Sequence, residues 1–170
     1  MLLRYLGRYR GEKMANLNTR VPSHEIEFLR ARRDDFRLAR EAVEVNLSTS
    51  QNSFSLHDSD LENFLADPSG YLVMAIHEEK VVGSLYGYAL RHPHRRQPQF
   101  LLYGIDVLPH YRNRRVGTRL IESFIDEARK AEAFEVWVLT HETNKPAMAM
   151  YAHCGFRRCA TGEAMLEIGL

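Results

Sequence analysis

Val107-Leu-Pro-His-Tyr-Arg-Asn-Arg-Arg-Val-Gly-Thr-Arg-Leu120 is the stretch on which the reading of this chain turns. It runs from a strand end through Pro109 and an arginine-rich turn into the start of a helix. Successive backbone N–H groups of such a turn converge at the positive end of a helix dipole, which makes an anion site. Gly117, lacking a Cβ, lets the main chain approach a ligand closely, and a pyrophosphate suits the place. The arginines at 112, 114, 115 and 119 also fit a solvated basic helix start or a nucleic-acid patch.

Outward from the turn, the chain is rich in periodic segments. Downstream, Val116, Leu120, Phe124 and Ala128, with Ile121 and Ile125 beside them, draw one apolar helical face, and Arg129 and Lys130 suit its C-terminal end. Phe134 to Thr140 reads as a strand, Asn144 to Cys154 as a helix stopped by Gly155, and Phe156 to Ile168 as two last strands. Upstream, Gln99 to Leu108 is a strand preceded by a loop over Arg91 to Pro98. Tyr71 to His77 and Val81 to Leu90 form an antiparallel hairpin around Glu78-Glu79-Lys80. Ile26 to Leu29 is a first strand, and Asp34 to Asn46 a helix behind an Asp cap. Leu47 to Leu56 is a polar loop, and Asp58 or Ser59 caps a short helix through Leu65. This order belongs to the α/β or α+β class with a mixed sheet.

With 170 residues and 45% hydrophobic content, the chain suits one domain with one sizeable core. We expect that domain over residues 24–170, behind a poorly ordered extension over 1–23. The 23 basic and 22 acidic side chains nearly cancel, but eight basic and three acidic ones fall in residues 1 to 33, leaving 15 against 19 afterwards. A mildly acidic body favours a cationic partner over nucleic acid. Neither a secretory leader nor a membrane-spanning run is expected, and Cys154 and Cys159 form no Cys-x-x-Cys pair, so the expectation is a cytoplasmic protein with free thiols. His92, His94, His110, His141 and His153 are scattered over the chain without a helical ligand pair, so no metal is expected.

Ile105, Val107, Pro109, Tyr111, Arg112 and Gly117 match a hydrophobic-x-Val-x-Pro-x-Tyr-Arg turn followed by glycine, and Asn144, Ala147, Met150, Tyr151, Gly155 and Phe156 match a second, C-terminal pattern. In both, the sequence resembles the GNAT superfamily of acetyl-CoA-dependent N-acetyltransferases over about residues 25 to 170. Tyr103-x-Ile-Asp-Val107 and Glu135-Val-Trp-Val-Leu-Thr140 look like the subgroup containing aminoglycoside 3-N-acetyltransferases. The resemblance implies acetyl-CoA as co-substrate, a small-molecule amine as acceptor, and a homodimer. It places the coenzyme against Ile105, Val107, Arg112, Asn113, Arg114, Arg115, Val116, Gly117, Thr118, Asn144 and Tyr151. Arg115 stands where the family has its first turn glycine, and its guanidinium is expected to point outward and add a contact to phosphate.

The same resemblance makes Tyr151 the general acid that protonates the departing thiolate, and sets the splayed strand end at Ile105 to Val107 against the pantetheine arm with an N–H aimed at the thioester oxygen. One such donor contributes about 2.7 to 4 kcal/mol. Read without the family, Tyr151 is a core tyrosine at helical spacing. The aminoglycoside enzymes carry a carboxylate where this chain has Gly104, so Asp106, two residues on and on the same strand face, becomes the candidate base, with Tyr103 as a water-holding partner. A structural Asp at a bulge is the competing reading. Tyr86 and Tyr103 are candidate substrate contacts, with Tyr88, the Leu47 to Leu56 segment and the acids Asp58, Asp60 and Glu62 around them. Acetylation of protein N-termini or lysines, and a non-catalytic acyl-CoA-binding module, are the rival functions.

Overall fold

The computed structural model describes residues 25–49 and 55–159. The extension over 1–23 and most of the final segment Phe156 to Ile168 lie outside the described residues; the part of that segment that is described, up to Cys159, contains no strand. Among the described residues five strands form one sheet in the order β1 (Glu27–Arg30), β2 (Gly70–His77), β3 (Lys80–His92), β4 (Arg95–Val107) and β5 (Glu135–Val138). The first four pair antiparallel, and β4 pairs with β5 in parallel. A parallel step needs a crossover, here supplied by the helix α3 (Val116–Lys130).

The predicted α3 stripe is the one buried: Val116, Leu120, Ile121, Phe124 and Ala128 turn inward against Phe100, Leu102 and Leu85 of the sheet. On the opposite face, α1 (Phe36–Thr49) and α2 (Asp58–Ala66) cover β2 and β3 through Ala39, Ala42, Val45 and Leu61, which meet Leu72, Met74 and Val81. The sheet thus separates two cores, and the C-terminal helix α4 (Lys145–His153) joins the α3 side through Tyr151.

Three local expectations are corrected. The stretch Arg91 to Pro98 is not a loop: β3 runs to His92 and β4 starts at Arg95, so the hairpin closes in a tight turn. Its polar side chains are explained by exposure at the tip, where no core demands alternation. The helix expected from Asp34 begins as a single 3-10 turn over Arg33–Asp35, where the Asp35 carboxylate accepts the Arg32 N–H at 2.9 Å, and α1 then runs three residues past Asn46. Neither Asp58 nor Ser59 caps α2: the N-cap is His57, with no side-chain cap bond, and Asp58 instead pairs with Arg40 at 3.0 Å. The Glu78-Glu79 turn holds as expected, with both residues at positive φ (49° and 62°), the geometry that matches strand twist in a two-residue hairpin.

Candidate active site

After Val107 the chain makes one 3-10 turn over Pro109–Tyr111, and two residues then take left-handed backbone angles, Asn113 at φ 58° and Arg115 at φ 63°. The Arg119 N–H bonds to the Arg115 carbonyl at 3.0 Å, the first bond of the α3 ladder, so the N–H groups from Arg115 to Thr118 precede it. Arg112, Asn113 and Arg115 are exposed, while Arg114, Gly117 and Thr118 are half-buried and Val116 is buried. Arg112 does more than supply charge: its Nε donates to the Val107 carbonyl at 2.9 Å and ties the turn to the strand end. A second tie escaped the sequence reading. Buried His77, at the end of β2, holds the Tyr111 hydroxyl at 3.0 Å through Nδ1, with Glu25 Oε2 3.7 Å from its Nε2. Its only signal in the sequence is a polar residue closing an apolar strand.

Beside the turn, β4 and β5 part company. Their register runs from Gln99↔Glu135 to Leu102↔Val138, after which β5 ends and β4 continues to Val107 without it. Ile105 and Val107 pack partly buried toward the α3 core on this unpaired stretch.

Tyr151 reaches this region from α4. Asn144 caps that helix, its side chain accepting the Ala147 N–H at 3.3 Å, so its visible work is structural. At the other end, Phe156 N–H bonds to the Tyr151 carbonyl at 3.0 Å and Gly155 N–H to the Ala152 carbonyl at 3.1 Å, with Gly155 at φ 89°. These are the paired bonds of a Schellman cap, and the Tyr151 and Phe156 rings, 5.6 Å apart, supply its apolar contact. The spacing Tyr-x-x-x-Gly-Phe is therefore the signature of a helix terminus that fixes Tyr151. Gly117 is explained likewise: a Cβ there would lie 2.7 Å from Met150 Sδ, so the missing side chain lets α4 dock on α3. Burial pushes the Tyr151 phenol above its ordinary value, and the charge of Asp106, then Cys154, adds to the effect.

On the α1 face of the sheet, Gly104 lies opposite Tyr86 and Asp106 opposite Ser84. Directly opposed residues share a face, so Asp106 and Gly104 are on one side, as alternation predicts. A carboxylate at 104 would require the Tyr86 ring to move, because a Cβ there would lie 2.4 Å from Tyr86 Cε1. The register slips between Tyr86↔Gly104 and Gly87↔Leu102, leaving Tyr103 as the extra residue of a β-bulge. Tyr103 and Gly104 thereby share one face, where the Tyr103 ring lies 5.4 Å from Tyr86 and 6.0 Å from Tyr88. Burial, then the neighbouring Tyr103, Tyr88 and Asp106, pushes the Tyr86 phenol up to about 12.

A split sheet beside a turn of main-chain donors is the frame expected of an acyl-CoA enzyme, and the acetyltransferase (GNAT) family model matches residues 28–156. The chain belongs to the GNAT family. By family it is an acetyl-CoA-dependent N-acetyltransferase. No curated protein sequence matches it. Among solved structures, an aminoglycoside acetyltransferase from an uncultured soil metagenomic sample, in complex with trehalose, superposes with a TM-score of 0.73 at 19% identity, covering 85% of this chain and 98% of that one. A ribosomal-protein-alanine N-acetyltransferase from Brucella melitensis biovar Abortus 2308 gives 0.67 at 17% identity, covering 85% and 99%. An aminoglycoside N-acetyltransferase in complex with CoA gives 0.67 at 16% identity, covering 84% and 94%.

In this GNAT domain the residues singled out in the sequence fall into two groups. Arg112 to Thr118, Ile105, Val107 and Tyr151 gather around the gap between β4 and β5, and Tyr86, Tyr103 and Asp106 gather on the α1 face of β4. Asp58 is tied to Arg40 and belongs to neither. Among the described residues no cluster of three His, Cys, Asp or Glu side chains is placed to hold a metal ion, and no helix is long and apolar enough to cross a membrane.

Proposed function

We propose that the protein transfers the acetyl group of acetyl-CoA to a primary amine of a small molecule, an aminoglycoside or a polyamine. The observation that carries this reading is the position of β4 between a buried tyrosine and a carboxylate. Tyr151 approaches from the α3 side, Asp106 stands on the α1 face, and each lies within electrostatic reach of the other. The turn from Arg112 to Thr118 holds the diphosphate through main-chain N–H groups, with Arg114 and Arg115 adding charge. The pantetheine arm enters the gap between β4 and β5 and pairs with the free edge of Ile105 to Val107.

In the transfer, the amine nitrogen attacks the thioester carbon, the carbonyl oxygen takes negative charge under a β4 N–H, and the C–S bond breaks with its electron pair on sulfur. The Tyr151 hydroxyl gives its proton to that sulfur, and Asp106 takes the proton leaving the new amide nitrogen, directly or through water held by Tyr103. A phenol raised by burial stays protonated at neutral pH, the form an acid needs. Support for a small cationic acceptor comes from the acidic, tyrosine-lined α1 face and from structural neighbours named as aminoglycoside acetyltransferases.

Thiol release from acetyl-CoA, measured over a panel of amines and N-terminal peptides, tests the proposal. Amine-dependent release is expected, with Tyr151→Phe lowering kcat by about 10² or more while KM for acetyl-CoA changes little. Asp106→Asn should move the acidic limb of the pH–rate profile. Coenzyme binding with no acceptor-dependent release, or unchanged kcat in Tyr151→Phe, overturns it.

A further inference from the structure

The α1 face of β3 and β4 carries an aromatic corner that acetyl transfer to a single amine does not require. Tyr103 and Tyr88 meet at an interplanar angle of 86°, Tyr86 leans on Tyr103, and Phe64 of α2 closes on Tyr88 at 5.7 Å. Tyr103 is 64% exposed, more than any other large hydrophobic side chain among the described residues. Alternation from Leu102 turns Tyr103 to this face, and the bulge sets Gly104, which has no side chain, beside it on the same face. Elsewhere the protein covers aromatic faces with its own cations: Arg30 lies over Tyr71, Arg95 over Phe134, Arg114 over Tyr111 and Arg119 over Phe28. Among the described residues no arginine or lysine covers Tyr86, Tyr88 or Tyr103.

Acids flank the corner on both sides. Asp106 lies along the strand from Tyr103. Asp67 ends α2 beside Ser69, whose carbonyl accepts the Ala89 N–H at 2.8 Å, so the carboxylate sits next to Tyr88. Both bonds that Ser69 gives Asp67 land on Oδ1, and they keep the carboxyl below its ordinary pKa and anionic. Exposed π faces that no cation among the described residues covers, with the Asp67 carboxylate beside them, attract an ammonium group, and neutral sugars or alkyl chains gain nothing from the acid.

We propose that Tyr88 and Tyr103, flanked by Asp67, form a subsite for a second ammonium of the acceptor, so that the enzyme selects amines carrying at least two positive charges. The inference rests on the reading that the α1 face of β4 is the acceptor side. The reacting amine takes the Asp106 end and the distal cation the Tyr88–Tyr103 corner.

Two measurements on the full chain test it. In the first, kcat/KM is compared between a homologous series of α,ω-diamines and the monoamines of equal length. One cation–π site gives the diamines an advantage between about twofold and thirtyfold. Tyr103→Phe, which keeps a π face, should retain that ratio, and Tyr103→Leu should collapse it toward one. In the second, tetramethylammonium and neopentyl alcohol, a neutral water-soluble analogue with the same branched carbon frame and one added hydroxyl, are titrated into wild type and Tyr103→Leu without acetyl-CoA. The cation should bind to wild type more tightly than the alcohol and lose that margin in Tyr103→Leu. Acetyl transfer with a diamine ratio of one, a ratio untouched by Tyr103→Leu, or equal binding of cation and alcohol sinks the subsite while the transferase reading stands. Tyr103-dependent binding of tetramethylammonium, with no acetyl transfer to any amine, does the reverse.

Discussion

Arg115 holds a left-handed backbone position, φ 63° and ψ 9°, at the point where the related turn carries glycine. The conformation explains the family preference, since a Cβ in this region costs about 1–2 kcal/mol against the following carbonyl. The turn survives the departure because the bonds around it are in place: Arg112 Nε to Val107, Tyr111 N–H to Leu108, and Arg119 N–H to Arg115 itself. Arg115→Gly relieves the strain but also loosens the unfolded chain, which takes back about 0.4–1 kcal/mol. A net stabilisation of roughly 0–1.6 kcal/mol is therefore expected in chemical denaturation. The same variant loses a guanidinium proposed to meet the diphosphate, so KM for acetyl-CoA should rise by about three- to tenfold, less at high salt. A variant that is less stable, with unchanged KM, means the arginine serves the fold and not the coenzyme. The sequence showed the substitution plainly. It named Tyr103 as a substrate contact but left unshown that Tyr103 and Gly104 share a face, because a bulge is visible only in the pairing with β3.

At the level of elements, α3 was legible because its inner face is wholly apolar at helical spacing and its two ends lie beyond that stripe. The Tyr151 helix was legible for a different reason: Asn144 and the Gly155-Phe156 pair are its two caps, and cap chemistry is local. The continuation of β3 and β4 past Leu90 and Gln99 was hidden, because both strands leave the core there and Pro98 interrupts the pattern. Pro98 is accommodated because the strand uses its carbonyl, which accepts the Phe134 N–H at 3.2 Å and so leads the chain into β5. How α3 and α4 dock was hidden too, and it sets the position of Tyr151. Gly117→Ala presses a methyl toward the flexible end of Met150, which can rotate, so activity should change little. Gly117→Val adds branches that Met150 cannot clear; α4 must move outward, and kcat should fall by about tenfold or more with the displaced phenol. Met150→Ala in the same chain opens the space and should restore most of that loss. Failure of the rescue, with the double variant well folded by circular dichroism, would place the effect in the turn and not in the helix contact.

Across the whole molecule, β4 is where the two cores meet. Its one face looks to the α3 side, from which Tyr151 comes, and its other to the tyrosine corner, so the proposed transfer would serve leaving group and nucleophile from opposite sides of a single strand. The arrangement gathers phenols in places that disfavour their ionised form. Burial comes first among the causes that raise Tyr86, Tyr88 and Tyr151, and the tyrosines reinforce one another at the corner. This has a consequence for stability. An unfolded tyrosine ionises near pH 10, whereas folded Tyr86 does so at about 12. Between those values the native state holds more protons than the unfolded one, and the derivative of unfolding free energy with pH is negative. The contribution of the neutral phenol is thus complete below about pH 10 and is lost as pH rises toward the folded value. Tm should accordingly fall on the alkaline side, and Tyr86→Phe, which has no proton to lose, should fall less steeply while matching wild type in shape at neutral pH. Parallel alkaline curves for the two proteins would show that Tyr86 ionises as freely in the folded chain as in the unfolded one, and that the corner is open enough for water to solvate the phenolate.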